Sequence, residues 1–152
     1  MSNGKASSSK SAFRMECAVG IHIQASPEKV WKLLAEAEQF TQWNSTVAGL
    51  EGRIALNEKI KLRSTLDAKR TFKLKVSVFV PPSKMVWEDG FAPLFKGVRT
   101  YTLKKRADGS TDFSMQEVFS GLMLPMIAGS LPDFKPNFEQ FAADLKKAAE
   151  KN

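Results

Sequence analysis

Phe134, Phe138, Phe141, Leu145 and Ala149 recur at steps of four, three, four and four residues, the spacing of a single stripe along an α-helix. Lys135, Glu139, Lys146, Lys147 and Glu150 fall on the opposite side. The pattern predicts a helix from Asp133 to about Lys151. At about 1.5 Å per residue such a helix crosses an entire small domain, and three rings on one face need a broad apolar partner. No second long helix is predicted, so that partner has to be a sheet.

The strands that could build it follow in order. Met15, Cys17, Val19, Ile21 and Ile23 alternate with mostly polar residues, as in a half-buried strand. Ser26-Pro27-Glu28 then has the chemistry of a helix start. Val30, Trp31, Leu33 and Leu34 form that helix's apolar face, and a second short helical piece carries Phe40 to Trp43, ended by Asn44 and Ser45. Strands are expected at Val47–Ile54, Lys59–Leu66, Thr71–Val80 and Met85–Phe91. In the third, Phe72, Leu74, Val76, Val78 and Val80 alternate with polar residues, and a short turn at Pro81-Pro82-Ser83 would set Val78 opposite Trp87 and Val80 opposite Met85. Gly121 to Gly129 reads as a helical turn or lid.

One hairpin can be put in register. Ala107-Asp108-Gly109 is a three-residue connection in which glycine takes the left-handed position. Arg106 then meets Ser110, Leu103 meets Phe113, Tyr101 meets Met115, and Arg99 meets Glu117 on the inward face. A two-residue turn would set polar against apolar along the whole ladder. An arginine and a glutamate among Tyr101, Met115 and Phe119 are costly to bury in a dry core. On an otherwise apolar concave wall they are what a ligand site contains; a structural ion pair at a wet rim is the alternative.

Charge narrows the partners. The net charge is +7, with Lys59, Lys61, Arg63, Lys69, Arg70, Lys73 and Lys75 dense in mid-chain, and the cations of the two neighbouring strands (Lys59, Lys61, Arg63, Lys73 and Lys75) share one outer sheet face. The near absence of interleaved aromatic residues argues against nucleic acid; peripheral contact with an anionic membrane stays open, as does the choice between monomer and homodimer. The single histidine, His22, and single cysteine, Cys17, give no metal site, no disulfide and no cofactor ligand set. With no apolar run of membrane-spanning length and no signal-peptide core, the expected location is the cytoplasm. Residues 1–13 are expected to be a disordered tail and residues 14–152 a single ligand-binding domain.

Ala25-Ser-Pro-Glu-Lys-Val-Trp31, Phe40-Thr-Gln-Trp-Asn44, Gly97-Val-Arg-Thr-Tyr-Thr-Leu103 and Glu117-Val-Phe-Ser-Gly121, in this order and spacing, resemble the Bet v 1-like, START-related superfamily (SRPBCC), in particular its polyketide cyclase/dehydrase-like bacterial branch. The resemblance implies an α+β helix-grip fold: a seven-stranded antiparallel sheet wrapped around the long C-terminal helix, with two short helices after the first strand. It also implies a cavity for lipids, polyketides or other apolar molecules. Its expected walls are Trp43, Phe72, Leu74, Val76, Trp87, Tyr101, Met115, Phe119, Phe134 and Phe138, with Arg99 as an anion anchor oriented by Glu117. Many relatives carry histidine where Arg99 stands, and arginine, which stays protonated, suits anchoring better than proton transfer. A cyclase or dehydratase would use Tyr101 and Glu117 for proton transfer with Arg99 stabilising an enolate. A co-chaperone-like interaction module working through the basic face is the third alternative.

Overall fold

The alternating segments become strands because each has one apolar face to bury and a backbone that only a neighbour can satisfy. The computed structural model describes residues 3–151; Met1 and Ser2 of the expected tail and Asn152 lie outside them. Among the described residues there are eight strands: β1 (Ala6–Lys10), β2 (Arg14–Ile23), β3 (Val47–Glu51), β4 (Lys59–Ser64), β5 (Phe72–Val80), β6 (Lys84–Phe91), β7 (Phe95–Lys105) and β8 (Thr111–Ser120). They form one antiparallel sheet in the order β1-β2-β8-β7-β6-β5-β4-β3.

Helices α1 (Pro27–Ala35) and α2 (Phe40–Trp43) follow β2, α3 (Leu124–Ile127) follows β8, and α4 (Lys135–Ala149) closes the chain. The hydroxyl of Ser26 caps α1 by accepting from the Lys29 amide at 3.3 Å. Helix α4 buries Phe138, Phe141, Ala142, Leu145 and Ala149 against the concave sheet face. Its polar side ties to the sheet's ends: Glu139 accepts from the Ala6 amide at 2.9 Å, and Glu150 from the Gln24 amide at 2.7 Å. No helix among the described residues is long and apolar enough to cross a membrane.

The sheet has one strand more than the seven expected. Residues 6–10, read from sequence as part of a disordered tail, pair with β2 from Ala6 opposite Val19 to Lys10 opposite Met15. Ser-rich side chains give no packing signal, yet the edge of β2 offers backbone donors and acceptors that any non-proline segment can use. The β7–β8 ladder has the expected register throughout, including Arg99 opposite Glu117 and Leu103 opposite Phe113, and Gly109 takes φ +87° in the turn.

The β5–β6 pairing differs from expectation. A register shift between Val76 and Val78 puts Val76 opposite Trp87, Val78 opposite Val86 and Phe79 opposite Met85. The bulge turns Phe79 inward, its ring 5.3 Å from that of Trp31, and leaves Val80 53% exposed. An extra residue reverses side-chain facing beyond it.

Candidate functional site

Antiparallel pairing aligns side chains into rows across the concave face. One row runs Val76, Trp87, Arg99, Glu117 and Cys17 across β5, β6, β7, β8 and β2. The next row on one side holds Met85, Tyr101, Met115 and Val19; the next on the other holds Met15 and Phe119. The ion pair suggested by the hairpin register therefore lies between the row that carries Tyr101 and a row that borders the start of α4.

Arg99 Nε donates to Glu117 Oε1 at 2.8 Å, with the two side chains only 15% and 12% exposed. The guanidinium carbon stands 5.1 Å from the centroid of the Phe138 ring, so α4 closes over the pair with a π face. Burial pushes the Glu117 carboxyl above its ordinary value, and Arg99 only partly offsets that. Burial also works against the Arg99 charge, but Glu117 and Tyr101 outweigh it and hold the guanidinium more firmly protonated than usual.

Between the sheet, α2 and α4 stand polar groups with nothing to bond. Trp43 Nε1, Asn44 Nδ2, Trp87 Nε1 and the Tyr101 hydroxyl are buried without a hydrogen-bond partner. The carbonyl oxygen of Asn44 is occupied, accepting from the Thr46 amide at 3.0 Å and the Thr46 hydroxyl at 2.7 Å. All four groups can donate. Each buried donor left unmatched costs about 1–3 kcal/mol, an arrangement that a fold built only for stability would remove. Arg99 is near enough to ease ionisation of Tyr101, but nothing meets hydrogen-bond geometry at its hydroxyl.

The hollow that the family resemblance implies is closed at its centre by rings. Phe40, Trp87, Tyr101, Phe113, Phe138 and Phe141 are each at most 2% exposed. Tyr101 contacts Trp87 at 4.9 Å and Phe141 at 5.9 Å between centroids, and Phe141 also meets Phe40, Trp43 and Phe113. A cleft of about 220 Å³ opens instead beside the ion pair, where β1, β2 and the approach to α4 meet. Cys17, Phe119 and Phe134 line it, and the last two stack at 5.4 Å.

The structure thus gathers Trp43, Leu74, Val76, Trp87, Tyr101, Met115 and Phe138 in or against the central packed body. Phe119 and Phe134 stand at the cleft, and Arg99 and Glu117 lie between the two regions. Phe72 sits apart, at the far end of β5 under the Arg70 guanidinium, 4.7 Å from its ring centroid. Sequence reasoning did not single out Phe113 or Cys17 as parts of the site. Phe113 and Cys17 carried the right alternation, but only strand order shows that β2 and β8 are neighbours. Among the described residues no three His, Cys, Asp or Glu side chains converge as metal ligands.

Burial sets an alkaline limit on stability. It raises the Cys17 thiol from 9.0 to about 11, with Asp133 adding to the effect, and the Tyr101 hydroxyl from 10.0 to about 12. In both windows the folded chain holds protons that the unfolded chain has lost, so stability falls as pH rises from about 9 to 12. Tyr101→Phe should flatten the upper part of that fall and Cys17→Ala the lower part, in urea unfolding measured at intervals of half a pH unit. Unchanged curves in both variants would contradict the burial described here.

A family model described as polyketide cyclase / dehydrase and lipid transport matches residues 14–150. No curated protein matches the sequence. Among solved structures, a START superfamily protein from Mycobacterium smegmatis aligns with TM-score 0.64 at 17% identity, covering 89% of this chain and 97% of that one. Truncated norcoclaurine synthase from Thalictrum flavum aligns with TM-score 0.68 at 12% identity, over 95% and 99% of the two chains. The di-domain ARO/CYC BexL of the BE-7585A biosynthetic pathway aligns with TM-score 0.71 at 11% identity, over 94% of this chain and 52% of that one. At these identities the likeness is one of fold: Bet v 1-like, with an open antiparallel sheet gripping a C-terminal helix.

Proposed function

Because this chain belongs to the polyketide cyclase/dehydrase and lipid transport family, we propose that it binds a flat, largely apolar molecule bearing carbonyl or phenolic oxygens, held between the sheet and α4. The observation that carries this reading is the set of buried donors without acceptors: Trp43 Nε1, Asn44 Nδ2, Trp87 Nε1 and the Tyr101 hydroxyl. Rings on all sides supply stacking surface, the donors fix oxygens, and Arg99 is the anchor for an acidic group. Entry runs through the cleft beside Cys17, with the Phe119–Phe134 stack parting and neighbouring rings rotating as the guest goes in.

Two probes of one shape separate oxygen recognition from apolar burial. Anthraquinone-2-carboxylate carries two ring carbonyls that anthracene-2-carboxylate lacks. The quinone should bind at least about tenfold more tightly by calorimetry, the equivalent of satisfying one or two buried donors. Equal affinities would remove the donor set as a recognition element. The double variant Arg99→Gln/Glu117→Gln leaves no buried charge unpaired, and it should weaken the carboxylate far more than neutral 2-methylanthraquinone. Equal losses would remove Arg99 as the anchor.

A second reading is favoured by the burial of Glu117, which raises its carboxyl above the ordinary value. A buried carboxyl pushed upward beside a fixed guanidinium and an unpartnered tyrosine hydroxyl can exchange a proton with a carbon next to a carbonyl while Arg99 steadies the enolate. In this reading the site cyclises or dehydrates a polyketone. Turnover of a soluble polyketone mimic, lost in Glu117→Gln with binding retained, would establish it; full turnover in that variant would refute these roles.

A further inference from the structure

The outer face of the sheet holds a second cleft, of about 320 Å³, lined by Gly49, Glu51, Lys61, Arg63, Thr71 and Lys73. Its charges are arranged against the sheet's own stability. Lys61 stands directly opposite Lys73, and Lys59 opposite Lys75, on the β4–β5 ladder, and like charges so placed repel. Among the described residues, none of Lys61, Arg63 and Lys73 forms an ion pair.

Arg63 is also specifically seated. It faces Gly49 across β3 and β4, next to a register shift between Val47 and Gly49. A Cβ on residue 49 would lie 2.7 Å from Arg63 Nη2 and 3.1 Å from Nε. Glycine there leaves room for the guanidinium to approach the backbone of the neighbouring strand at the cleft. Three cations against the single carboxylate of Glu51 leave a net charge of +2 among the lining residues.

We propose that this cleft binds a phosphoryl group. Its charge of about −1.5 to −2 balances the excess, and its oxygens match the planar fork of Arg63, with the ammonium groups of Lys61 and Lys73 and the Thr71 hydroxyl as further donors. A single carboxylate would leave one cation uncompensated. Glu51, opposite Lys61 on the β3–β4 ladder, keeps affinity moderate. The site lies on the opposite face of the sheet from the ion pair and is independent of the guest bound inside.

The test titrates ¹⁵N-labelled protein with inorganic phosphate at low ionic strength, following amide shifts around residues 49, 63 and 73. Saturable shifts confined to the cleft are expected. Gly49→Ala changes no charge yet should weaken binding about fivefold by displacing Arg63, whereas Glu51→Gln should tighten it about threefold. Lys61→Gln/Lys73→Gln should cost at least about tenfold, and Lys59→Gln/Lys75→Gln, outside the cleft, less than about twofold. Linear, non-saturating shifts, equal losses in the two lysine pairs, or an unaffected Gly49→Ala would overturn the proposal. Vesicles containing phosphatidic acid, bound in wild type and released by phosphate, identify a lipid headgroup as the source. Saturable phosphate binding without vesicle binding identifies a soluble phosphate ester.

Discussion

Arg99→Met is expected to lower the unfolding free energy by about 3–5 kcal/mol at pH 7, the cost of leaving a buried carboxylate without its cation. The pair is joined at 2.8 Å and mostly excluded from water, so solvent cannot replace the guanidinium. The loss should shrink as pH falls. Burial already raises Glu117 above its ordinary 4.5, and without Arg99 nothing opposes that shift. The folded variant then holds a proton that the unfolded chain loses as pH rises above about 4.5, so acidification towards that value restores stability. Arg99→Met/Glu117→Met should recover most of the loss at every pH, because apolar replacement of a whole buried pair is close to neutral. Urea unfolding at pH 5 and pH 7 measures all three. An Arg99→Met variant within about 1 kcal/mol of wild type, or one insensitive to pH, would mean that water reaches the pair.

Phe141→Ala should cost about 3–5 kcal/mol. This ring is 1% exposed and touches Phe40, Trp43, Tyr101 and Phe113, all with centroids within 6.3 Å. It joins α2, the sheet and α4 where the expected hollow is filled. Its removal opens space next to the unpartnered donors, so anthraquinone-2-carboxylate should raise the melting temperature of Phe141→Ala more than that of wild type. A loss below about 1.5 kcal/mol would show that neighbouring rings collapse into the gap, and no ligand-dependent gain would place the guest elsewhere.

Those two sites show what the sequence could and could not convey. Arg99 opposite Glu117 was legible because Ala107-Asp108-Gly109 allows only one turn length that keeps the apolar faces aligned, and the ladder then follows residue by residue. The helix stripe was legible for the same reason, since periodicity records facing. The bulge at Val76 to Val78 was not: Val78, Phe79 and Val80 are all apolar, and slipping by one residue leaves an apolar side chain inward in either case. The strand Ala6–Lys10 was hidden because backbone pairing needs no side-chain pattern. Filling of the central hollow was hidden too, because it depends on which rings from α2, β6, β7, β8 and α4 meet, a matter of three-dimensional volume that alternation does not encode. The free donors of Trp43, Asn44, Trp87 and Tyr101 share that origin: each residue type is ordinary, and only the absence of acceptors around them marks the place.

The indole N–H signals of Trp31, Trp43 and Trp87 report on the central claim most directly. Trp43 and Trp87 have buried, unpartnered Nε1 groups and Trp31 does not. On titrating ¹⁵N-labelled protein with anthraquinone-2-carboxylate, the Trp43 and Trp87 indole protons should move downfield as they gain an acceptor, while Trp31 stays in place. Binding that leaves both signals where they were, or that moves Trp31 alone, would contradict an oxygen-recognising site between the sheet and the C-terminal helix.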